Sequence, residues 1–173
     1  MTKRIGMIAG SFDPITNGHT WLIEQALTVV DKLYVIVGNN PAKKYMFTDA
    51  ERVLLIDAVC DPMDAHRPKR IFTTFLDNKL LINVAAELGC NFLIRGIRNA
   101  EDFNYESQVL LINRKIQPGI ETLFFIPPRE LTEVSSSTVK GLMGFEGWED
   151  VVSTYVAKPV LKALKKRVKE RQP

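Results

Sequence analysis

The stretch Ile5-Gly-Met-Ile-Ala-Gly-Ser-Phe-Asp-Pro-Ile-Thr-Asn-Gly-His19 decides the fold of this chain. Its first part, Ile5 to Ala9, is an apolar run of strand length, and the turn-forming pair Asp13-Pro14 follows it. A helical pattern begins at about Asn17, where apolar residues start to recur at three- and four-residue spacing. The next apolar run, Leu33 to Val37, is continuous, which is typical of a strand buried on both faces of a parallel sheet. The chain therefore begins with a β-α-β unit.

The alternation of strands and helices continues along the rest of the chain. Thr48 and Glu51 have the spacing of a capping box and predict a helix that starts at Thr48. Hydrophobic periodicity and turn residues predict strands at Ile71 to Leu76, Phe92 to Ile94 and Thr122 to Ile126, and helices around Leu80 to Leu88, from about Asp102 to Lys115, from about Ser136, and from about Trp148 to Lys169. The prediction is an α/β fold: a single-domain, doubly wound, five-stranded parallel sheet of Rossmann-like type with a C-terminal helix. Ligands of such sheets bind at the carboxyl ends of the strands, near a topological switch point.

Composition and charge exclude several classes of protein. With 173 residues, 46% apolar and 25% charged, the sequence is typical of one soluble globular domain, which we expect to span residues 1–173. Residues 158–173 hold seven basic residues and one acidic residue, a charge of +6, and because the whole chain carries +3, the remainder sums to −3. The basic character therefore belongs to a tail, partly frayed from about residue 165, and no nucleic-acid partner is expected.

Cysteine spacing and hydropathy point to the cytoplasm. Cys60 and Cys90 lie thirty positions apart without a CxxC pattern, which argues against a zinc site and against an oxidised, secreted scaffold. No apolar stretch approaches eighteen residues, so no membrane span is expected.

The loop after the first strand has the features of a phosphate site. Gly10 lets a ligand approach the backbone, and the helix that follows offers free N–H groups and the positive end of its dipole. His19, in the first turn of that helix, projects toward the same anion. A lone histidine at a helix start is more often a solvated or capping residue, so its neighbours decide its interpretation.

Those neighbours carry a family resemblance. The run from Gly10 to His19 ends in Thr16-Asn-Gly-His19 and resembles the (His/Thr)-x-Gly-His signature of a nucleotidyltransferase superfamily. Later segments narrow the resemblance to the bacterial phosphopantetheine adenylyltransferases: Asn40-Pro-Ala-Lys-Lys44, Met46-Phe-Thr48, Leu93-Ile-Arg-Gly-Ile-Arg98, Asp102-Phe-Asn-Tyr-Glu106 and Val134-Ser-Ser-Ser137. The resemblance implies transfer of the adenylyl group of ATP to 4′-phosphopantetheine, Mg²⁺ carried with ATP and no protein metal site, and a homohexamer.

The resemblance also implies roles for individual residues. His19 would contact the ATP phosphates and stabilise the transition state, with Ser11 and Phe12 where the two substrates meet. Lys43 and Arg95 would hold phosphopantetheine, and Leu81 aligns with an apolar pantetheine contact. The expected ATP-binding positions are Ser11, Phe12, His19, Gly96, Ile97, Arg98, Glu106, Leu131, Thr132, Glu133, Val134, Ser135, Ser136 and Ser137.

Simpler interpretations exist for several of these residues. Lys43 and Lys44 are also what a solvated loop contains, and Arg98 could pair with Glu101 or Asp102 at the surface. Glu106 could merely favour the helix dipole, and the three serines could be a capping cluster, although their hydroxyls and N–H groups also suit the β- and γ-phosphates. Lys79 and Leu131 depart from the family pattern, which bears on substrate contacts near Lys79 to Leu81 and near adenine.

Other functions fit parts of the same pattern. A related transferase could use CTP or a different phosphate acceptor, such as nicotinamide mononucleotide or glycerol phosphate. A non-catalytic nucleotide-binding regulatory module would keep the glycine loop but could lose His19 and the basic residues. Because all of these are present, the sequence favours the adenylyltransferase.

Overall fold

The computed structural model describes residues 3–40, 43–65, 68–76 and 79–171. Five strands follow the predicted order, with bounds within about two residues of those expected: β1 (Ile5–Gly10), β2 (Lys32–Val37), β3 (Ile71–Phe75), β4 (Phe92–Gly96) and β5 (Glu121–Phe125). The helices are α1 (Asn17–Val29), α2 (Asp49–Cys60), α3 (Leu81–Glu87), α4 (Ala100–Ile116), α5 (Ser136–Leu142), α6 (Trp148–Ser153) and α7 (Lys158–Arg171), with a short 3₁₀ turn at Arg129–Leu131.

The strands form one sheet in the order β3-β2-β1-β4-β5, and every neighbouring pair is parallel. The predicted doubly wound α/β sheet is confirmed. The strand order reverses between β1 and β4, because the chain winds outward from β1 to β3 and then returns to the other side of β1. A crevice opens at such a switch point, beyond the carboxyl ends of the two central strands.

The core lies on both faces of the sheet. Met7 and Ile8 are neighbours on β1 but belong to different hydrophobic clusters, since successive side chains of a strand point to opposite faces. The larger cluster joins Ile8 to α1, α2 and the C-terminal helices, and the smaller joins Met7 to α3. Both faces of β1 are therefore covered, which holds the loop after this strand on a rigid base.

The C-terminal helix expected from about Trp148 to Lys169 is wrong as a single element. The structure divides it into α6 and α7, separated at residues 154–157. Pro159 explains the break: it has no N–H to donate to the carbonyl of Tyr155 four residues earlier. That carbonyl accepts instead from the backbone N–H of Asn17, at 2.8 Å. The break thus anchors the start of α1.

Two further details differ from the sequence pattern. Leu54 is an apolar residue of α2 but is 66% exposed, whereas the charged Arg52 in the same helix is completely buried. Beyond residue 165, α7 continues to Arg171, and Arg167 contacts Glu51 of α2 at 2.6 Å. Arg167 is therefore held in an ion pair, whereas a frayed tail would leave it free in solvent. Within the described ranges, no helix is both long and apolar enough to cross a membrane.

Candidate active site

A cleft of about 480 Å³ opens at the carboxyl ends of β1 and β4. Its walls come from the loop after β1, the first turn of α1, the segment after β4 with α4, and the segment from residue 127 to α5. Most of the predicted site residues line this cleft: Ser11, Phe12, His19, Arg95, Gly96, Arg98, Glu106, Leu131, Val134, Ser135, Ser136 and Ser137. The fold thus brings together residues that are up to 126 positions apart in the sequence.

Five predicted residues do not line the cleft. Ile97 is buried, and Thr132 and Glu133 belong to the same segment as Leu131, but none of the three lines the cavity. Leu81 starts α3 and packs against the smaller hydrophobic cluster. Lys43 is exposed in the loop after β2, and Lys79, one of the family departures, pairs with Glu87 at 2.9 Å. The roles expected of these residues stay predictions.

A buried arginine, Arg52, stabilises the loop after β1. Phe12 has a φ of 47°, in the left-handed region that a bulky residue rarely adopts. Arg52 reaches under this loop from α2 and donates to the carbonyl of Ser11 at 2.8 Å and to Asn39 at 2.5 Å. Its guanidinium also stacks on the ring of Tyr45, 4.2 Å from the ring centre. Arg52 therefore ties the loops after β1 and β2 together.

A second buried group ties the loop to α5. The carboxylate of Asp13 is 1% exposed and accepts from the backbone N–H groups of Met46 and Phe47, both at 2.9 Å. Lys140 of α5 donates to the same carboxylate at 2.8 Å. Ser136, in the first turn of α5, adds a hydrogen bond to the carbonyl of Pro14, also at 2.8 Å. Two walls of the cleft, the loop after β1 and α5, are thus fixed to each other and to the segment that holds Met46 and Phe47.

The start of α1 approaches the opposite wall closely. A Cβ atom at Gly18 would lie 3.3 Å from the carbonyl oxygen of Val134, so a side chain there would press the two walls apart. Glycine at this position permits the narrow gap between the first turn of α1 and the segment before α5.

His19 faces the cleft from this first turn. Its ring lies 5.0 Å from the ring of Phe12, centre to centre, and its Nδ1 atom is 3.0 Å from the backbone nitrogen of Thr16. Burial and, to a smaller extent, the positive charge of Arg98 together lower the pKa of His19 to about 4. The imidazole is therefore neutral at physiological pH, and it can offer a hydrogen bond without carrying a charge.

Arg95 and Arg98 bring cations to the cleft, and each is oriented by a carboxylate of α4. Arg95 donates through Nε to Glu106 at 2.8 Å, pairs with the other oxygen of Glu106 through Nη2, and donates to the carbonyl of Ala9 at 2.8 Å. Glu106, expected to contact ATP, thus has both oxygens engaged by Arg95. Arg98 pairs with Asp102 at 2.8 Å, the alternative that the sequence left open, and this contact lowers the pKa of the Asp102 carboxyl.

Several cleft residues escaped the sequence interpretation. Trp21 and Pro127 line the cavity, as does Asp102, which the sequence offered as an ion-pair partner without assigning it to the site. Trp21 lies three residues after Gly18 in α1, a spacing that places both on one face of the helix and that could have signalled its position. In the described part of the chain, no three His, Cys, Asp or Glu side chains gather where they could hold a metal ion.

The parallel sheet and its switch-point cleft are those of a nucleotidyltransferase. A family model described as cytidylyltransferase-like matches residues 7–142, which include all of the cleft residues and the whole sheet except the first two residues of β1. Among solved structures, a nicotinic acid mononucleotide adenylyltransferase of Plasmodium falciparum, complexed with NaAD, shares the fold with a TM-score of 0.73 over 95% of this chain and 96% of that chain. The sequence identity to it is 16%.

Curated relatives show which family of nucleotidyltransferases this chain belongs to. A phosphopantetheine adenylyltransferase of Chromobacterium violaceum is 44% identical over 156 residues, which are 90% of this chain and 92% of that protein. Another, of Neisseria meningitidis serogroup C, is 43% identical over 92% of this chain and 91% of its own length. The chain belongs to the phosphopantetheine adenylyltransferase family and is an enzyme.

Proposed function

We propose that this enzyme transfers the adenylyl group of ATP to 4′-phosphopantetheine, giving dephospho-coenzyme A and pyrophosphate, the penultimate step of coenzyme A synthesis. The observation that carries the proposal is the position of His19, Arg95 and Arg98 around one cleft at the switch point of the sheet. The family membership supports the choice of substrates.

The chemistry of the acceptor explains the make-up of the cleft. The phosphate monoester of 4′-phosphopantetheine is already ionised near neutral pH, so it can attack the α-phosphorus without a strong general base. Both carboxylates of α4 that line the cleft, Asp102 and Glu106, are paired with arginines and are poor candidates for a base. The enzyme has to align the two substrates and stabilise the negative charge of the transition state and of the departing pyrophosphate.

The two arginines and the imidazole of His19 have different roles in this reaction. His19 donates a hydrogen bond to the phosphate that develops charge, and Arg98 holds the triphosphate. Arg95 receives the phosphate of phosphopantetheine, and Glu106 acts through Arg95 by fixing the plane of its guanidinium. Lys43 and Leu81 complete the acceptor site from the loop after β2 and from α3, and the serines before and within the first turn of α5 hold the β- and γ-phosphates.

Mg²⁺ enters with ATP and belongs to the substrate, since the arginine-paired carboxylates of the cleft offer it no cage. It would screen the charge of the triphosphate. The enzyme acts in the cytoplasm and assembles as a homohexamer. Nucleic acids and membranes are not among its partners.

Pyrophosphate release tests the proposal. The purified chain is incubated with ATP and 4′-phosphopantetheine, with nicotinamide mononucleotide or with glycerol phosphate, and CTP replaces ATP in a matched series. Turnover is expected with ATP and 4′-phosphopantetheine. A preference for another acceptor or for CTP would reassign the enzyme within its superfamily, and nucleotide binding without turnover would indicate a regulatory module. Sedimentation of the same preparation tests the hexamer.

A further inference from the structure

Thr16 contacts the imidazole of His19 through two atoms. It immediately precedes α1 and is 1% exposed. Its backbone nitrogen lies 3.0 Å from Nδ1 of His19, and its hydroxyl oxygen lies 2.8 Å from the same atom. The two residues form the reciprocal pair of a capping box, in which His19 occupies the position usually held by glutamate or glutamine.

This geometry fixes where the proton of the imidazole lies. A backbone N–H can only donate, so Nδ1 must accept and cannot carry a proton. The single proton of the neutral ring is then on Nε2. With Nδ1 settled as an acceptor, the hydroxyl of Thr16 also donates to it.

The surroundings of His19 keep the ring in this state. Arg98 is the charged group that faces the imidazole, the ring of Phe12 packs beside it, and burial lowers the pKa of His19 to about 4. An imidazolium would bring a proton on Nδ1 against the N–H of Thr16 and a second positive charge toward Arg98. Both interactions are repulsive.

We infer that Thr16 is a positioning residue that holds His19 as the neutral tautomer with its proton on Nε2, so that the cleft always receives an N–H donor. His19 then stabilises a phosphate by a directed hydrogen bond and acts neither as a cation nor as a proton-transfer group. The catalytic consequence rests on the proposed function, but the tautomer does not.

The first experiment reads the tautomer directly, without substrate. The sequence has two histidines, His19 and His66. Protein labelled with ¹⁵N-histidine, compared with its His66→Gln variant, therefore assigns the His19 signals. At pH 7 we expect an unprotonated, pyridine-type ¹⁵N shift at Nδ1 and a protonated, pyrrole-type shift at Nε2. The reverse pattern, or an imidazolium at pH 7, would overturn the inference.

The second experiment removes the hydroxyl. Thr16→Val keeps the shape and the backbone N–H, and should move the Nδ1 shift toward that of an unbonded pyridine-type nitrogen. Loss of one hydrogen bond that orients a catalytic group is expected to lower kcat by roughly tenfold, with a smaller change in the KM for ATP. Thr16→Ser restores both the shift and kcat. Thr28→Val, which removes a hydroxyl at the far end of α1 that bonds the carbonyl of Gln25, is the control and should change neither.

Each outcome has a meaning. An unchanged Nδ1 shift in Thr16→Val, or a loss of kcat that Thr16→Ser does not restore, would contradict the positioning role. If the chain shows the expected tautomer but no adenylyl transfer, the proposed function fails while the inference about Thr16 stands.

Discussion

The two ends of α1 are treated in opposite ways. At the end of the helix, the guanidinium of Arg70 fills the space beyond the last turn and donates to the carbonyls of Leu27 and Val30, both at 2.5 Å. At the start, Gly18 and His19 face an open cleft of about 480 Å³. A helix leaves unsatisfied groups at both ends. Here a permanent side chain satisfies one end, and we propose that a substrate completes the other.

This difference separates stability from activity along a single element. A change at the Arg70 end should unfold the protein more easily without altering turnover. At neutral pH, a change at the His19 end should alter turnover and leave stability nearly unchanged. The variants below are chosen to break that separation, starting with the largest expected effect.

Replacing His19 by alanine should cost the most activity. Loss of one preorganised donor to a developing phosphate charge lowers turnover by about 10²–10³-fold. Because His19 lies at the open end of α1 and belongs to neither hydrophobic core cluster, the fold should survive. Steady-state kinetics and thermal melting of His19→Ala measure both effects. Near-normal kcat in a folded variant would remove His19 from the mechanism.

Arg95 and Arg98 should divide the two substrates. Arg95→Ala is expected to weaken mainly 4′-phosphopantetheine and Arg98→Ala mainly ATP, each by roughly 10- to 150-fold, the value of a charge-assisted contact. Arg95→Ala also leaves the carboxylate of Glu106 without its partner. The double change Arg95→Ala with Glu106→Gln is therefore the control for a charge left unpaired. Titration of each variant with each ligand is the measurement, and equal weakening of both ligands by both variants would refute the division.

The overall architecture was readable from the sequence, because it depends on local patterns. Apolar runs predicted each strand, and helical periodicity with the capping box at Thr48 predicted the helices between them. The loop from Gly10 to His19 predicted where the cleft opens. The break between α6 and α7 was also readable, since Pro159 signals it, but the continuous helical period around it concealed the signal.

The tertiary links of the site could not be predicted in the same way. The Asp13–Lys140 pair joins residues 127 positions apart, and no local pattern announces it. Arg52 was concealed for a different reason: a charged residue on a helix is usually solvated, whereas this one is completely buried because Ser11, Asn39 and Asp49 accept its hydrogen bonds. Sequence patterns indicate which residues meet at a sheet edge, but not which partners hold them there.

The pH dependence of stability should sharpen the contrast at the open end of α1. The pKa of His19 is about 4 in the folded chain and near 6.5 when unfolded, so between these values the unfolded state binds more protons. Stability therefore rises with pH across this window and is lost as pH falls through it. At pH 5 the loss from this group is roughly 2 kcal/mol relative to pH 8.

Denaturant unfolding of the wild type and of His19→Gln at pH 4.5 to 8 isolates this contribution. The difference between the two curves should slope below about pH 6.5 and be flat above it. A flat difference at every pH would mean that His19 is not held neutral by the fold.

The closed end of α1 should respond in stability alone. Arg70→Met keeps the apolar stem but removes the donors to Leu27 and Val30, which leaves the last carbonyls of the helix to water. Lost charge-assisted hydrogen bonds at a partly exposed helix end are expected to lower the free energy of unfolding by about 1 to 2 kcal/mol. Kcat and both KM values should be unchanged. A fall in kcat at a temperature where the variant is fully folded would show that the two ends of α1 are coupled.

The smallest effect is expected remote from both ends of α1, at the end of α7. Truncation after Lys165 removes Arg167, which pairs with Glu51 at 2.6 Å and stacks 5.0 Å from the ring centre of Phe47. An ion pair this exposed contributes less than about 1 kcal/mol, so activity and assembly should persist with a slightly lower melting temperature. Arg167→Ala should reproduce that decrease if the pair is its cause.

Truncation after Val152 is the positive control, because it also removes Val156, Val160 and Leu164, which are buried in the larger core cluster. Loss of activity in the shorter deletion would give the last residues of the chain a function that neither their charge nor the contacts of Arg167 explain.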